Sequence, residues 1–182
     1  MLYFFRDPER LPPPHPACVV AGADGQIMAV QSVPENTFLN TETVRISIFL
    51  SLFDVHVNRA PIAGRVAFLN YYPGRRYCTF QEKSSLYNQH SAILIEGEHT
   101  RCLVKQIVGP VARRVVYWLH LDQQLAQGER IGMMKFGSRL DIYLPQADVE
   151  VLVRKGDKVQ AGRSIIAILR QHPELNAFGE QP

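Results

Sequence analysis

Cysteine is scarce in this chain of 182 residues, which carries three: Cys18, Cys78 and Cys102. They are odd in number, far apart and in no metal-ligand spacing. They therefore argue against a disulfide framework and against a metal centre, and they fit a reducing compartment. Small, buried, apolar roles are expected of them. Long apolar runs are missing as well. The longest, residues 46–53, contains two serines and falls far short of the roughly 20 residues needed to cross a bilayer. A secretory signal is not expected, because Arg6, Asp7, Glu9 and Arg10 follow the apolar Met1-Leu-Tyr-Phe-Phe5 at once. There is no excess of one charge sign either. A net charge of +3, dispersed along the chain, gives no footprint for nucleic acid. The pairs Arg75-Arg76 and Arg113-Arg114 read first as solvated loop or strand-edge charges, and second as contacts for anionic lipid headgroups.

Helix signals are sparse, with a turn or two expected over 82–89 and 122–127. What is present is a series of short runs rich in Val, Ile, Phe and Tyr, separated by glycine turns: 17–21, 26–33, 44–53, 64–71, 91–96, 101–108, 113–121, 140–144, 149–154 and 164–169. Regular spacing of this kind predicts an all-β fold, a sandwich or barrel, in a single domain spanning 1–182. Glycine turns precede apolar strands at Ala23-Asp-Gly25, Pro61-Ile-Ala-Gly64 and Lys155-Gly-Asp-Lys-Val-Gln-Ala-Gly162. The last of these, running on to Ile165-Ile-Ala-Ile168, resembles the hammerhead strands of biotinyl and lipoyl domains.

The most informative stretch is Phe136-Gly137-Ser138-Arg139. A serine directly after a glycine can attack the carbonyl preceding its own nitrogen through a five-membered ring. The glycine leaves that carbonyl unshielded and tolerates the strained backbone required. A Gly-Ser pair alone most often marks a turn, so its surroundings decide.

Those surroundings are Tyr3-Phe-Phe-Arg-Asp-Pro-Glu-Arg10, Ala23-Asp-Gly25, Asp54-Val-His-Val-Asn-Arg-Ala-Pro61 and Arg130-Ile-Gly-Met-Met-Lys-Phe-Gly-Ser-Arg-Leu-Asp141. Together they resemble the short form of the phosphatidylserine decarboxylases over roughly residues 3 to 170. The resemblance implies autocatalytic cleavage between Gly137 and Ser138, giving a β chain 1–137 and an α chain 138–182 that remain together as a heterodimer. It implies a covalent pyruvoyl cofactor derived from Ser138, whose carbonyl takes up the primary amine of a phospholipid and draws electrons from the carbon bearing its carboxylate. Phosphatidylserine would become phosphatidylethanolamine. Asp24 falls where the family places the aspartate of its self-processing triad. His56 matches the histidine associated with decarboxylation, and its ordinary pKa suits a proton donor. A second histidine found in the longer enzymes is replaced here by Arg59, which leaves the base for self-cleavage open. Arg59 and Asn58 are expected at the substrate, Arg59 through its planar fork. Asn58 is also a candidate to hold His56 in one tautomer. Surface positions are expected for His15, His90, His99, His120 and His172.

The same family likeness implies peripheral attachment to the cytoplasmic side of the cell membrane, through Met1–Phe5 and scattered arginines, unless the natural start lies upstream with an anchor. A homodimer is a further expectation from exposed strand edges. Two other readings use the same residues. Met134-Lys135 resembles the acceptor of a biotinyl or lipoyl carrier domain, with Lys135 bearing the arm. The chain also fits a relative acting on a different amino-acid headgroup.

Overall fold

The structure is a computed structural model that describes residues 6–15, 17–74, 88–109, 115–134 and 138–170. Its alternating apolar runs become fourteen strands, and no helix occurs among the described residues. They are β1 (Cys18–Val20), β2 (Gly25–Glu35), β3 (Thr41–Leu50), β4 (Val57–Arg59), β5 (Gly64–Tyr72), β6 (His90–Glu96), β7 (Arg101–Ile107), β8 (Val115–Tyr117), β9 (Gln124–Leu125), β10 (Arg130–Met134), β11 (Ser138–Pro145), β12 (Val149–Val151), β13 (Lys158–Val159) and β14 (Ile165–Leu169).

Eight strands form a curled half-barrel in the order β13-β2-β3-β11-β7-β6-β5-β9. Two three-stranded sheets accompany it, β1-β14-β12 and β4-β10-β8. Side chains alternate across the large sheet. Ile46, Ile48 and Leu50 of β3, Leu140, Ile142 and Leu144 of β11, and Val104 of β7 point into the main core, which they share with Val19, Ile131, Met134 and Ile166. The opposite face carries a small apolar cluster, Leu39, Ala92, Leu94, Leu103 and Tyr143. Beside it, Arg139 donates to the Asp141 carboxylate at 2.6 Å and to Ser47 Oγ at 3.0 Å, all three being buried.

Three expectations need correction. The run 44–53 ends as a strand at Leu50, because the Ser51 N–H donates to the Asp54 carboxylate at 2.7 Å and closes a turn. Leu52 and Phe53 are left exposed on that turn. Residues 122–127 form no helical turn: Asp122 takes φ 65°, and Gln124–Leu125 pair with β5. The segment 82–89 lies almost wholly outside the described residues. Of the histidines, His90 is half-buried rather than superficial, stacked 5.0 Å from Tyr72. His172 and Cys78 fall outside the described residues, while Cys18 and Cys102 are buried as expected.

Candidate active site

Ser138 is the first residue of β11 and pairs in register with Leu50, the last residue of β3. Two residues on, Leu140 faces the main core, so alternation turns the Ser138 side chain the same way. That side chain is fully buried, and its Oγ has no hydrogen-bond partner among the described residues. Gly137 and Lys135 lie outside the described residues.

From Leu50 the chain passes through the 51–54 turn and reaches His56. The Met134 N–H at the end of β10 donates to the His56 carbonyl at 3.2 Å. Backbone pairing thus sets Ser138 beside Leu50 and the His56 carbonyl beside Met134. The His56 ring is buried, and its Nδ1 lies 2.8 Å from the Asp54 carbonyl oxygen. A carbonyl only accepts, so Nδ1 carries the hydrogen and Nε2 the lone pair in the neutral ring. Burial pushes the His56 pKa below its ordinary value of 6.5. The bond to Asp54, together with the charges of Asp54 and Asp24, opposes that shift, and Arg6 adds to it.

Asp24 sits in the turn between β1 and β2. Its carboxylate takes both arms of the Arg10 guanidinium and, at 2.8 Å, the Ala161 N–H. No hydrogen bond joins it to His56 or Ser138 among the described residues; its charge is what reaches His56. The glycine that follows is required by space. Gly25 has φ +143°, and a Cβ there would lie 2.0 Å from the Phe49 carbonyl oxygen. The turn is thus pressed against the strand that carries Leu50.

Arg59 is buried and its guanidinium is committed within the protein. It donates to the Gly128 carbonyl at 2.9 Å, to the Pro8 carbonyl at 3.0 Å and to Asp7 at 3.1 Å. Arg130 bonds the same Asp7 and Glu9. These arginines, with Arg10 and the bond from Arg6 to the Phe53 carbonyl, lace residues 6–10 to the Asp24 turn, to Ala161 and to the 51–54 turn. Asn58 is fully buried, and its bonded neighbour is Gln106 rather than His56. The tautomer of His56 is set by Asp54 instead.

The motifs gave no weight to Gln106, Ser91 or Arg10. Arg10 stands inside the quoted Tyr3–Arg10 stretch and was legible there; Gln106 and Ser91 carry no local signal. A cleft of about 250 Å³ opens between Gly25, Gln26, Phe49, Ser51, Asp54 and Lys158. Among the described residues no group of three or more His, Cys, Asp or Glu side chains could hold a metal ion.

Fold and site define a class: an all-β protein with a buried serine at the start of a half-barrel strand and a buried histidine at the entrance to the β4-β10-β8 sheet. Residues 1–167 match the model of the family described as phosphatidylserine decarboxylase. The phosphatidylserine decarboxylase proenzyme of Desulfotalea psychrophila is 41% identical over 166 residues, covering 91% of this chain and 77% of that protein. The proenzymes of Symbiobacterium thermophilum and Pelobacter propionicus are 42% and 44% identical, covering 94% and 92% of this chain and 80% and 76% of their own. The chain belongs to the phosphatidylserine decarboxylase family.

Proposed function

We propose that this chain is a proenzyme that cuts itself between Gly137 and Ser138, and that the mature protein is a carboxy-lyase converting phosphatidylserine to phosphatidylethanolamine. The observation that carries this reading is the Ser138 hydroxyl, which is fully buried and unpartnered among the described residues, in a chain whose relatives are named proenzymes. A buried hydroxyl kept out of the surrounding hydrogen bonds costs stability, on the order of 1–3 kcal/mol. Such a cost is characteristic of a group held for chemistry.

The position fits a pyruvoyl group made from Ser138: apolar core residues surround it, and no competing hydrogen bond holds the side chain. That group supplies an electron-accepting carbonyl that binds the substrate amine and draws off the electron pair left when carbon dioxide departs. The chain's own residues do the rest. His56, neutral and with its lone pair at Nε2, takes up a proton and later returns it to the carbon that has lost its carboxylate. Asp54 holds the ring in that tautomer. Asp24 fixes Arg10 and, through its charge, favours the protonated ring. Arg59 holds residues 7 and 8 in place; a direct role at the substrate requires it to exchange Asp7 for the ligand's phosphate or carboxylate. Asn58 is buried two residues beyond His56 and bonded by Gln106.

Cleavage would leave the two pieces joined. The α chain would contribute β11, which pairs along its length with β3 on one side and with β7 on the other, and β14, which pairs with β1. Leu52 and Phe53, exposed on the turn leading to His56, with Arg6 bonded to the Phe53 carbonyl, suit contact with a membrane surface carrying the substrate.

Intact-mass measurement tests the reading directly. The protein should run as two fragments, one ending at Gly137 and one whose first residue lacks an amino group, while Ser138→Ala should give a single chain of 20.6 kDa less one oxygen. Borohydride with an amine should leave an adduct on the smaller fragment. A single full-length mass for the unaltered protein, stable on long incubation with phosphatidylserine vesicles, would overturn it.

A further inference from the structure

Two sets of buried polar side chains accompany β11, one on each face of the large sheet. Toward the core, Ser91, Gln106 and Asn58 are joined by hydrogen bonds of 2.6 and 2.7 Å. On the opposite face stand Arg139, Asp141 and Ser47, 1%, 0% and 0% exposed. Arg139 Nε donates to Asp141 Oδ1 at 2.6 Å, and a terminal nitrogen of the same guanidinium donates to Ser47 Oγ at 3.0 Å. Asp141 and Ser47 face each other in the β11–β3 register. The Arg139 side chain thus reaches along its own strand and across to the next.

Buried charges are a poor source of stability, since an apolar pair of similar volume often serves as well. Leu103 and Tyr143 pack in that apolar way on the same face. What a bonded guanidinium adds is direction, because its planar fork meets two acceptors in one orientation. The residue so oriented is the one that follows Ser138. Ser138 pairs with Leu50 on the β3 side, whereas pairing with β7 starts one residue later, at Arg139 and Ile107. In the intact chain Ser138 is anchored by peptide bonds on both sides. Cutting removes the preceding bond, and loss of its nitrogen removes a backbone N–H, so residue 138 becomes a strand end with fewer ties. Its remaining covalent tie is the peptide bond to Arg139. That bond is planar and keeps the Cα atoms of residues 138 and 139 in one plane. The Cα of residue 138 is the carbon whose carbonyl would take up the substrate amine.

We propose that Arg139, Asp141 and Ser47 form a clasp that keeps residue 138 seated once the chain is cut, and that they are positioning residues for decarboxylation. The inference rests on the self-cleaving reading above. The clasp spans the two pieces: Arg139 and Asp141 belong to the α chain and Ser47 to the β chain. Before the cut, residue 138 is held from both directions and the clasp is one tie among several. After it, the clasp fixes the only residue through which the reacting carbon is attached.

The test follows hydrogen exchange of the peptide that opens the α chain, by mass spectrometry, in cut protein and in uncut Ser138→Ala chain. The kcat and KM for decarboxylation of phosphatidylserine in vesicles are measured on the same cut proteins. Arg139→Met combined with Asp141→Leu removes both charges, so that neither is left buried alone. In cut protein it should speed exchange at residues 139–141 about tenfold. It should also lower kcat roughly 10- to 100-fold with KM nearly unchanged. Ser47→Ala should lower kcat about fivefold, the worth of one hydrogen bond. In the uncut chain the same changes should alter exchange much less, whereas a merely structural role would alter it equally in both. Near-UV circular dichroism reports folding, and Ser47→Ala stands in should the double variant not fold or not cut. Unaltered kcat in cut Ser47→Ala, or equal speeding of exchange in cut and uncut chains, overturns the proposal. A folded Ser47→Ala chain that stays whole overturns it too, because the clasp would then act before the cut. Failure of the unaltered chain to cut between residues 137 and 138 instead removes the reading beneath it.

Discussion

His56 and His90 hold protons less tightly in the folded protein than in the unfolded chain. Burial is the largest cause for both. His56 is further disfavoured by Arg6 and helped by Asp54 and Asp24; His90 is disfavoured by Lys105 and helped by its 2.7 Å contact with the Asn88 carbonyl and by Asp141. Where the folded pKa lies below the unfolded 6.5, the unfolded state binds more protons on acidification. The stability these residues contribute is therefore complete above pH 6.5 and is lost as pH falls from there through the folded values. Each unit of depression corresponds to about 1.4 kcal/mol. Thermal melting of uncut Ser138→Ala chain should show its midpoint falling between pH 7 and 5. His90→Gln in that background should give a shallower fall; an unchanged slope would refute the assignment. At this scale the sequence named Ser138 and His56 from their flanks. It had no means of naming Gln106 or Ser91, since a polar residue in a strand reads as solvent-facing until a second sheet covers it.

At the scale of elements, the long strands were legible because apolar and polar residues alternate along them. Four of the short ones were not: β4, β9, β10 and β13 are two to five residues long and owe their existence to partners remote in sequence. β10 shows why they matter. It lies between β4 and β8, and Gly132 stands opposite both Asn58 and Tyr117. A Cβ on Gly132 would fall 2.3 Å from the Val116 carbonyl oxygen, a backbone atom that cannot swing aside. Gly132→Ala should accordingly destabilise the uncut chain by about 1–3 kcal/mol in urea unfolding, because β8 must move away from β10. Unchanged stability would show that the β8 segment yields without cost. The overrun of β3 has a different origin. Leu52 and Phe53 look like continued strand until the Asp54 carboxylate captures the Ser51 N–H.

For the whole molecule, residues 6–10 are bonded to Phe53, Arg59 and Asp24, and the turn leading to His56 leaves two apolar side chains in solvent. Phe53 is 76% and Leu52 54% exposed. No helix among the described residues is long and apolar enough to cross a membrane. Transfer of two such side chains into a lipid interface is favourable by a few kcal/mol at most, enough for reversible attachment when an anionic surface assists. Leu52→Ser with Phe53→Ser should weaken flotation with phosphatidylserine vesicles about tenfold or more without altering self-cleavage. Equal flotation of the two proteins would move the contact elsewhere, with residues 1–5 the next to delete.

The sequence by itself determined the strand-rich fold and the Gly-Ser junction with its histidine, because alternation and covalent adjacency are local properties written residue by residue. Only the tertiary structure decided that Arg59 is engaged by Asp7, that Asp24 is held by Arg10, and that Ser91, Gln106 and Asn58 form one line. Such pairings depend on which remote strands share a face, and on the exclusion of water that makes an unpartnered polar atom costly.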